Sequence, residues 1–105
     1  MKSADAVASL AALAQESRLE IFRRLVQRGP EGMPAGEIAA ALAIAKPTLS
    51  FHLAHLERAG LARARRDGRS ILYSADFDAI AALVGFLYEN CCGTATSCAP
   101  PRRKR

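Results

Sequence analysis

Cys91, Cys92 and Cys98 are the only thiols of this 105-residue chain, and they lie together just beyond its last apolar helical pattern. Thiolates are soft donors, so a cluster this tight offers three of them to a single soft ion. An odd cysteine count in a reducing compartment argues against a disulfide framework and for metal or redox use. Zinc would require a fourth donor to close a tetrahedral site, and both histidines, His52 and His55, fall in a different element. Gly93-Thr94-Ala95-Thr96-Ser97 between the second and third cysteines is small and polar enough to double back, so a site here is expected to close on its ligand. Three incidental thiols in a tail are the bland alternative, and their clustering argues against it.

A second constellation is basic. Between residues 46 and 70 stand Lys46, Arg58, Arg63, Arg65, Arg66 and Arg69 against only Glu57 and Asp67, a balance that suits a polyanion, although a solvated surface would look the same by charge alone. The formal charge of the whole chain is +5, and the four basic residues 102–105 supply most of that excess. Half of the residues are apolar, yet no run approaches the roughly 18 apolar residues of a membrane span, and the N-terminus lacks a secretory pattern. A cytoplasmic protein of one domain is expected.

The elements that must position these groups follow from periodicity. Residues 4–14 read as an alanine-rich helix with Val7, Leu10, Ala11, Leu13 and Ala14 on more than one face, which calls for two partners. Ser17 and Glu20 have the spacing of a capping box, and Leu19, Phe22, Leu25 and Val26 then recur at helical spacing until Gly29-Pro30. A loop over 29–33 leads into a short helix over 34–42, with Pro34 in its first turn and Ile38, Ala39 and Leu42 inward. Residues 43–45 separate it from a helix opened by Lys46-Pro47-Thr48, buried along Leu49, Leu53 and Leu56 and ended by Gly60. Two such helices have the dimensions of a helix-turn-helix.

The period then changes to that of a strand. Leu61-Ala62-Arg63-Ala64-Arg65 alternates, Asp67-Gly68 signals a hairpin turn, and residues 70–74 return through Ile71, Leu72 and Tyr73 as a two-stranded wing. Asp76 can cap a final helix carrying Phe77, Ile80, Ala81, Leu83, Val84, Leu87 and Tyr88. From Gly93 on, the chain is too poor in apolar residues to pack unaided. The expected architecture is mainly α with a two-stranded β-wing: a winged helix-turn-helix over residues 1–92 and a flexible tail over 93–105. A core drawn from residues 17–74 cannot cover both faces of the terminal helices, so the first and last helices are expected to pair with their counterparts in a twofold homodimer.

Lys46, Thr48, Ser50 and Phe51, with His55 one turn on, should then face a DNA major groove. Thr48 and Ser50 can bond base edges or phosphates, and an apolar or aromatic side chain can touch a thymine methyl. His52 lies beside the leucine stripe and is expected to be a packed, hydrogen-bonded structural residue. Arg65, Arg66 and Arg69 around the wing turn should meet phosphate or the minor groove. The two reading helices of a dimer would enter successive major grooves of palindromic double-stranded operator DNA, about 10 base pairs apart or a multiple of that.

These residues resemble the ArsR/SmtB family of metal-responsive bacterial repressors. The resemblance is carried by Ala14-Gln15-Glu16-Ser17-Arg18-Leu19, by Gly36-Glu37-Ile38-Ala39, by Thr48-Leu49-Ser50-Phe51-His52-Leu53 running on to Leu56-Glu57-Arg58-Ala59-Gly60-Leu61, and by Gly68-Arg69 before Tyr73. The best-known arsenic sensors of that family place cysteines in the helix that corresponds to residues 34–42, where this chain has none. Its zinc sensors use carboxylates and histidines on the last helix, which here offers Asp76, Asp78 and Glu89 without a histidine. A less common family arrangement has vicinal cysteines at the end of the last helix and a third in the tail. Cys91, Cys92 and Cys98 look like that type, which implies As(III), or Sb(III), as effector.

The expected function is that of an arsenite-responsive repressor that binds operator DNA as a homodimer and dissociates when the metalloid is held by three sulfurs. A thiol-redox-responsive winged-helix repressor and a winged-helix module that binds protein are the alternatives. An enzyme is not expected, because the chain has no phosphate loop, HExxH motif, nucleophile elbow or acid pair on one helical face.

Overall fold

The computed structural model describes residues 1–93. Cys98 and the basic end of the tail lie outside the described residues, as does the side chain of Cys92. The elements run α1 (Ser3–Leu13), α2 (Glu16–Arg28), β1 (Met33–Pro34), α3 (Ala35–Leu42), α4 (Lys46–Arg58), β2 (Ala62–Asp67), β3 (Ser70–Ala75) and α5 (Phe77–Tyr88), followed by a 3-10 turn at Cys91–Gly93. Mainly helical with an antiparallel wing, the chain is a winged helix-turn-helix, as expected.

The core fills the space between α2, α3, α4 and the base of the wing. Ile21, Leu25, Ile38, Leu49, Leu53, Leu56 and Leu61 are all but inaccessible, with Phe22, Met33 and Ala75 packed around them. On α2 the inward residues are Ile21, Phe22 and Leu25, whereas Leu19 and Val26 are exposed. Those two are seven residues apart and share a line on the helix roughly 100° from the core-facing one, so the stripe expected through Leu19 and Val26 is displaced onto Ile21. The start of α2 differs as well. Gln15, not Ser17, caps it, its side-chain oxygen accepting the Arg18 N–H at 2.9 Å.

The sheet has three strands in the order β1-β3-β2, one more than the two-stranded wing expected. Met33 pairs with Tyr73 and Pro34 with Leu72, so the segment anticipated as loop and first helical turn is tied to the wing. Gly32 makes this possible: its φ is +79°, and a Cβ there would stand 2.7 Å from the carbonyl oxygen of Tyr73. Two residues are too few for a periodic signal, which is why β1 is invisible in the sequence. Pro34 donates no N–H and sits on the sheet edge, where that loss is tolerated. Arg28 secures the same corner by donating to the Gly32 carbonyl at 3.1 Å and pairing with Glu37 of α3.

The wing turn is Gly68-Arg69, with Asp67 paired to Ser70 as the last strand residues. It falls one residue later than the Asp67-Gly68 pair suggested. Gly68 has φ +64° at the first central position, the signature of a type II′ hairpin turn.

The terminal helices are only half used. Ala6, Ser9 and Ala12 of α1 face inward, while Val7 is 63% exposed. Leu83 is the one buried residue of α5; Phe77, Val84, Leu87 and Tyr88 are exposed and share its outer stripe. Among the described residues, no helix is long and apolar enough to cross a membrane.

Candidate nucleic-acid interface

Helix α4 is held against the core by Leu49, Leu53 and Leu56, so its opposite face is fixed toward solvent. Its C-terminal end is closed by two reversed bonds, Gly60 N–H to the Glu57 carbonyl at 2.9 Å and Leu61 N–H to the Leu56 carbonyl at 3.0 Å. That Schellman pattern turns the chain directly into β2, with Leu61 driven into the core. Lys46, Thr48, Ser50 and Phe51 are exposed, as the sequence indicates, and the structure brings them together along the first turns of the helix. His55 is less open than expected: it is half-buried, its Nδ1 is enclosed, and it has no hydrogen-bond partner. Burial, followed by the Arg18 and Arg58 charges, pulls the pKa of its imidazole below the ordinary value.

His52 is buried, as expected, and its partner is Arg18. The Arg18 guanidinium donates through Nε to the Ala12 carbonyl at 2.7 Å and lies 3.3 Å, through Nη1, from His52 Nδ1. One side chain of α2 thereby joins the end of α1 to the middle of α4. Because Arg18 is a donor only, this contact assigns His52 as neutral, with its proton on Nε2. Desolvation, and then the Arg18 and His55 charges, lower the His52 pKa accordingly.

Phe51 sits against both histidines, edge to face, with ring centroids 5.6 Å from His52 and 6.4 Å from His55. The residue is nevertheless 60% exposed. Arg18 escaped the sequence reading because nothing local marks an arginine that serves a helix 34 residues away. Arg58, exposed at the end of α4, was counted in the basic balance but not assigned to the reading surface.

The wing arginines differ in their freedom. Arg63 is paired with Asp76 at 3.3 Å. Asp76 caps α5, and the Ala79 N–H at 3.0 Å is the main cause holding its carboxyl below the usual range, ahead of Arg63 and against desolvation. Arg65 donates to the Glu31 carbonyl at 2.9 Å, which fastens the wing to the loop before β1. Among the described residues Arg66 reaches only the Gly68 carbonyl beside it, at 3.4 Å, and like Arg69 is exposed. Arg66 and Arg69 are therefore less encumbered than Arg65, the third predicted wing arginine.

At the other end of the chain, α5 stops at Tyr88. Glu89 turns extended (φ −53°, ψ 129°) and Asn90 is left-handed (φ 58°). Cys91 thus occupies a separate 3-10 turn rather than the end of the last helix. It is partly accessible there. Among the described residues no group of three metal-ligating side chains forms, and the other two predicted ligand side chains fall outside that set.

Residues 13–65 match the model of a helix-turn-helix domain family. The transcriptional activator HlyU of Vibrio cholerae is 32% identical over 90 residues, covering 86% of this chain and 81% of that protein. The solved structure of its reduced form, 31% identical, covers 86% of this chain and 92% of that one with a TM-score of 0.63. An ArsR-like transcriptional regulator from Rhodococcus sp. RHA1 superposes with a TM-score of 0.77 at 27% identity, over 86% of this chain and 82% of the other. The homodimeric winged helix-turn-helix DNA-binding domain of Mb0332 from Mycobacterium bovis, described as a possible ArsR-family regulator, gives 0.66 at 30% identity, over 82% and 80%.

Proposed function

The chain belongs to the ArsR-like family of helix-turn-helix transcriptional regulators, and on that premise we propose that it is a homodimeric repressor, released from palindromic operator DNA by As(III) or Sb(III). The observation that carries the DNA half is the outward face of α4: Lys46, Thr48, Ser50 and Phe51 stand free beside a wing whose Arg66 and Arg69 are exposed. A helix presenting this face enters the major groove, while the wing arginines meet backbone phosphate. Arg65 takes part from its anchored position, and His55 borders the groove. The dimer is supported by the outer stripes of α1 and α5, which leave Val7, Leu10, Val84, Leu87 and Tyr88 exposed, and by the homodimeric Mb0332 domain.

For the input, Cys91, Cys92 and Cys98 are the ligands. Arsenite, As(OH)₃, exchanges its three hydroxyls for three sulfurs, and the three thiol protons leave with them as water. The product is a pyramidal trithiolate with no unfilled bond, whereas zinc would still require a fourth donor. Because only Glu89 and Asn90 separate the cysteine turn from α5, closing the site on the metalloid re-angles the two subunits and takes the α4 helices out of register with successive grooves. Linkage then requires that DNA weaken metalloid binding by the same factor.

Fluorescence anisotropy on the DNA upstream of the chain's own gene tests both halves. Expected are steeply salt-dependent binding, release on arsenite addition, and loss of that release in a triple cysteine-to-serine variant that still binds DNA. Release of the triple variant by arsenite would sink the assigned input. Transcription from the same promoter in vitro should fall when the chain is added; a rise would make it an activator, like HlyU. A thiol-redox trigger on the same cysteines is the second reading, favoured by a relative whose reduced form is a distinct solved structure. Peroxide would then release the DNA and arsenite would not.

A further inference from the structure

Phe51 is the anomaly of α4. Large apolar side chains exposed singly are ordinary on a surface, but this one stands among Lys46, Thr48 and Ser50 on the face that the leucine stripe points away from the core. The core does not use it, being filled on this helix by Leu49, Leu53 and Leu56. Nor is the ring loose. The imidazoles of His52 and His55 flank it edge-on, and His52 is itself held by Arg18, which is anchored on the Ala12 carbonyl. The structure thus carries an aromatic plane positioned by a chain of contacts reaching back to α1, with most of its surface turned to solvent.

The surroundings identify what covers it. Lys46 and Arg58 lie on the same helix, and Arg66 and Arg69 are exposed on the wing, so the occupant of this face is polyanionic. Within a duplex major groove, hydrogen-bonding atoms line the floor for all four bases. The only apolar group presented there is the C5-methyl of thymine. A pre-positioned phenyl ring cannot exchange hydrogen bonds with guanine, adenine or cytosine edges, and burying it against them would strand their donors and acceptors.

We infer that Phe51 is a specificity-determining residue that reads a thymine C5-methyl in each half-site of the operator. This rests on the proposed DNA reading and goes beyond it by naming the base and the atom. Thr48 and Ser50, one turn or less away, supply the hydrogen bonds that orient the helix, and Phe51 selects thymine at its position by apolar contact alone. A 5-methylcytosine placed there offers the same methyl group and should be partly accepted.

The experiment replaces thymine by deoxyuridine, which removes the methyl and leaves the pairing edge intact. Duplexes enriched from a random pool by binding to the full chain are resynthesised with deoxyuridine at one thymine at a time. Wild-type affinity should fall by about fourfold at one position per half-site, the value of one buried methyl. For Phe51→Ala the parent and substituted duplexes should bind alike, while Phe51→Leu should retain part of the difference. Because Phe51 is outside the core, each variant should keep the wild-type melting temperature. Equal loss with deoxyuridine in wild type and Phe51→Ala, or no loss at any thymine, overturns the inference while leaving DNA binding intact. Absence of salt-dependent binding to every duplex, with a protein partner captured through Phe51 instead, overturns the DNA reading and this inference together.

Discussion

At the level of single residues, Arg18 does what no other side chain of the described structure does, joining three helices through one guanidinium. Arg18→Ala leaves the Ala12 carbonyl and the His52 ring without their donor and should destabilise the fold by about 2 kcal/mol in urea unfolding. Arg18→Lys keeps one bond but not the fork, and should fall between. His52 gives this contact a pH dependence whose sign is fixed. Its pKa in the folded chain is below 6.5, so the native state refuses a proton that the unfolded chain accepts. Stability is therefore fully present above pH 6.5 and falls as pH drops from there toward the folded pKa. His55 acts in the same direction. Urea midpoints measured from pH 8 to pH 5 should decline for wild type and decline less for His52→Gln.

Among the elements, the turn between α3 and α4 carries visible strain. Ala43 adopts φ 54° there, a left-handed conformation that is unfavourable for a residue with a Cβ. Ala43→Gly should raise stability by roughly 0.5–1 kcal/mol, seen as a higher melting temperature with unchanged DNA affinity. Gly32→Ala is the opposite case. Its Cβ would collide with the Tyr73 carbonyl, so β1 must leave the sheet, at a cost of about 2 kcal/mol or more. The five helices were legible in the sequence because each carries apolar residues at helical spacing, and Gly60 marked the end of α4 through the backbone geometry it permits. What stayed hidden depends on contacts across the chain: the third strand at Met33–Pro34, the Gln15 cap in place of Ser17, and the shift of the α2 stripe to Ile21. The outward face of α4 was legible for the same reason as its core stripe. The Arg18–His52 link was legible only in its histidine half.

For the molecule as a whole, the proposed dimer places its seam on the outer stripes of α1 and α5. Leu87→Glu puts a carboxylate into the proposed seam without touching the core, since Leu87 is 60% exposed. The expected outcome is a folded monomer by sedimentation, with operator affinity reduced by more than tenfold as the avidity of paired reading heads is lost. Charge is distributed with equal economy of position: Arg66→Ala and Arg69→Ala should each weaken binding to all sequences alike and lower the slope of log K against log salt by about one. The break at Glu89 and Asn90 has a longer-range meaning. A body whose last helix is finished before the thiols begin carries them on a separate segment, so on the proposed reading what lies behind that joint can be exchanged, lengthened or retuned like a plug-in cartridge. Recombination at this seam would let lineages acquire a new stimulus while keeping an old promoter address.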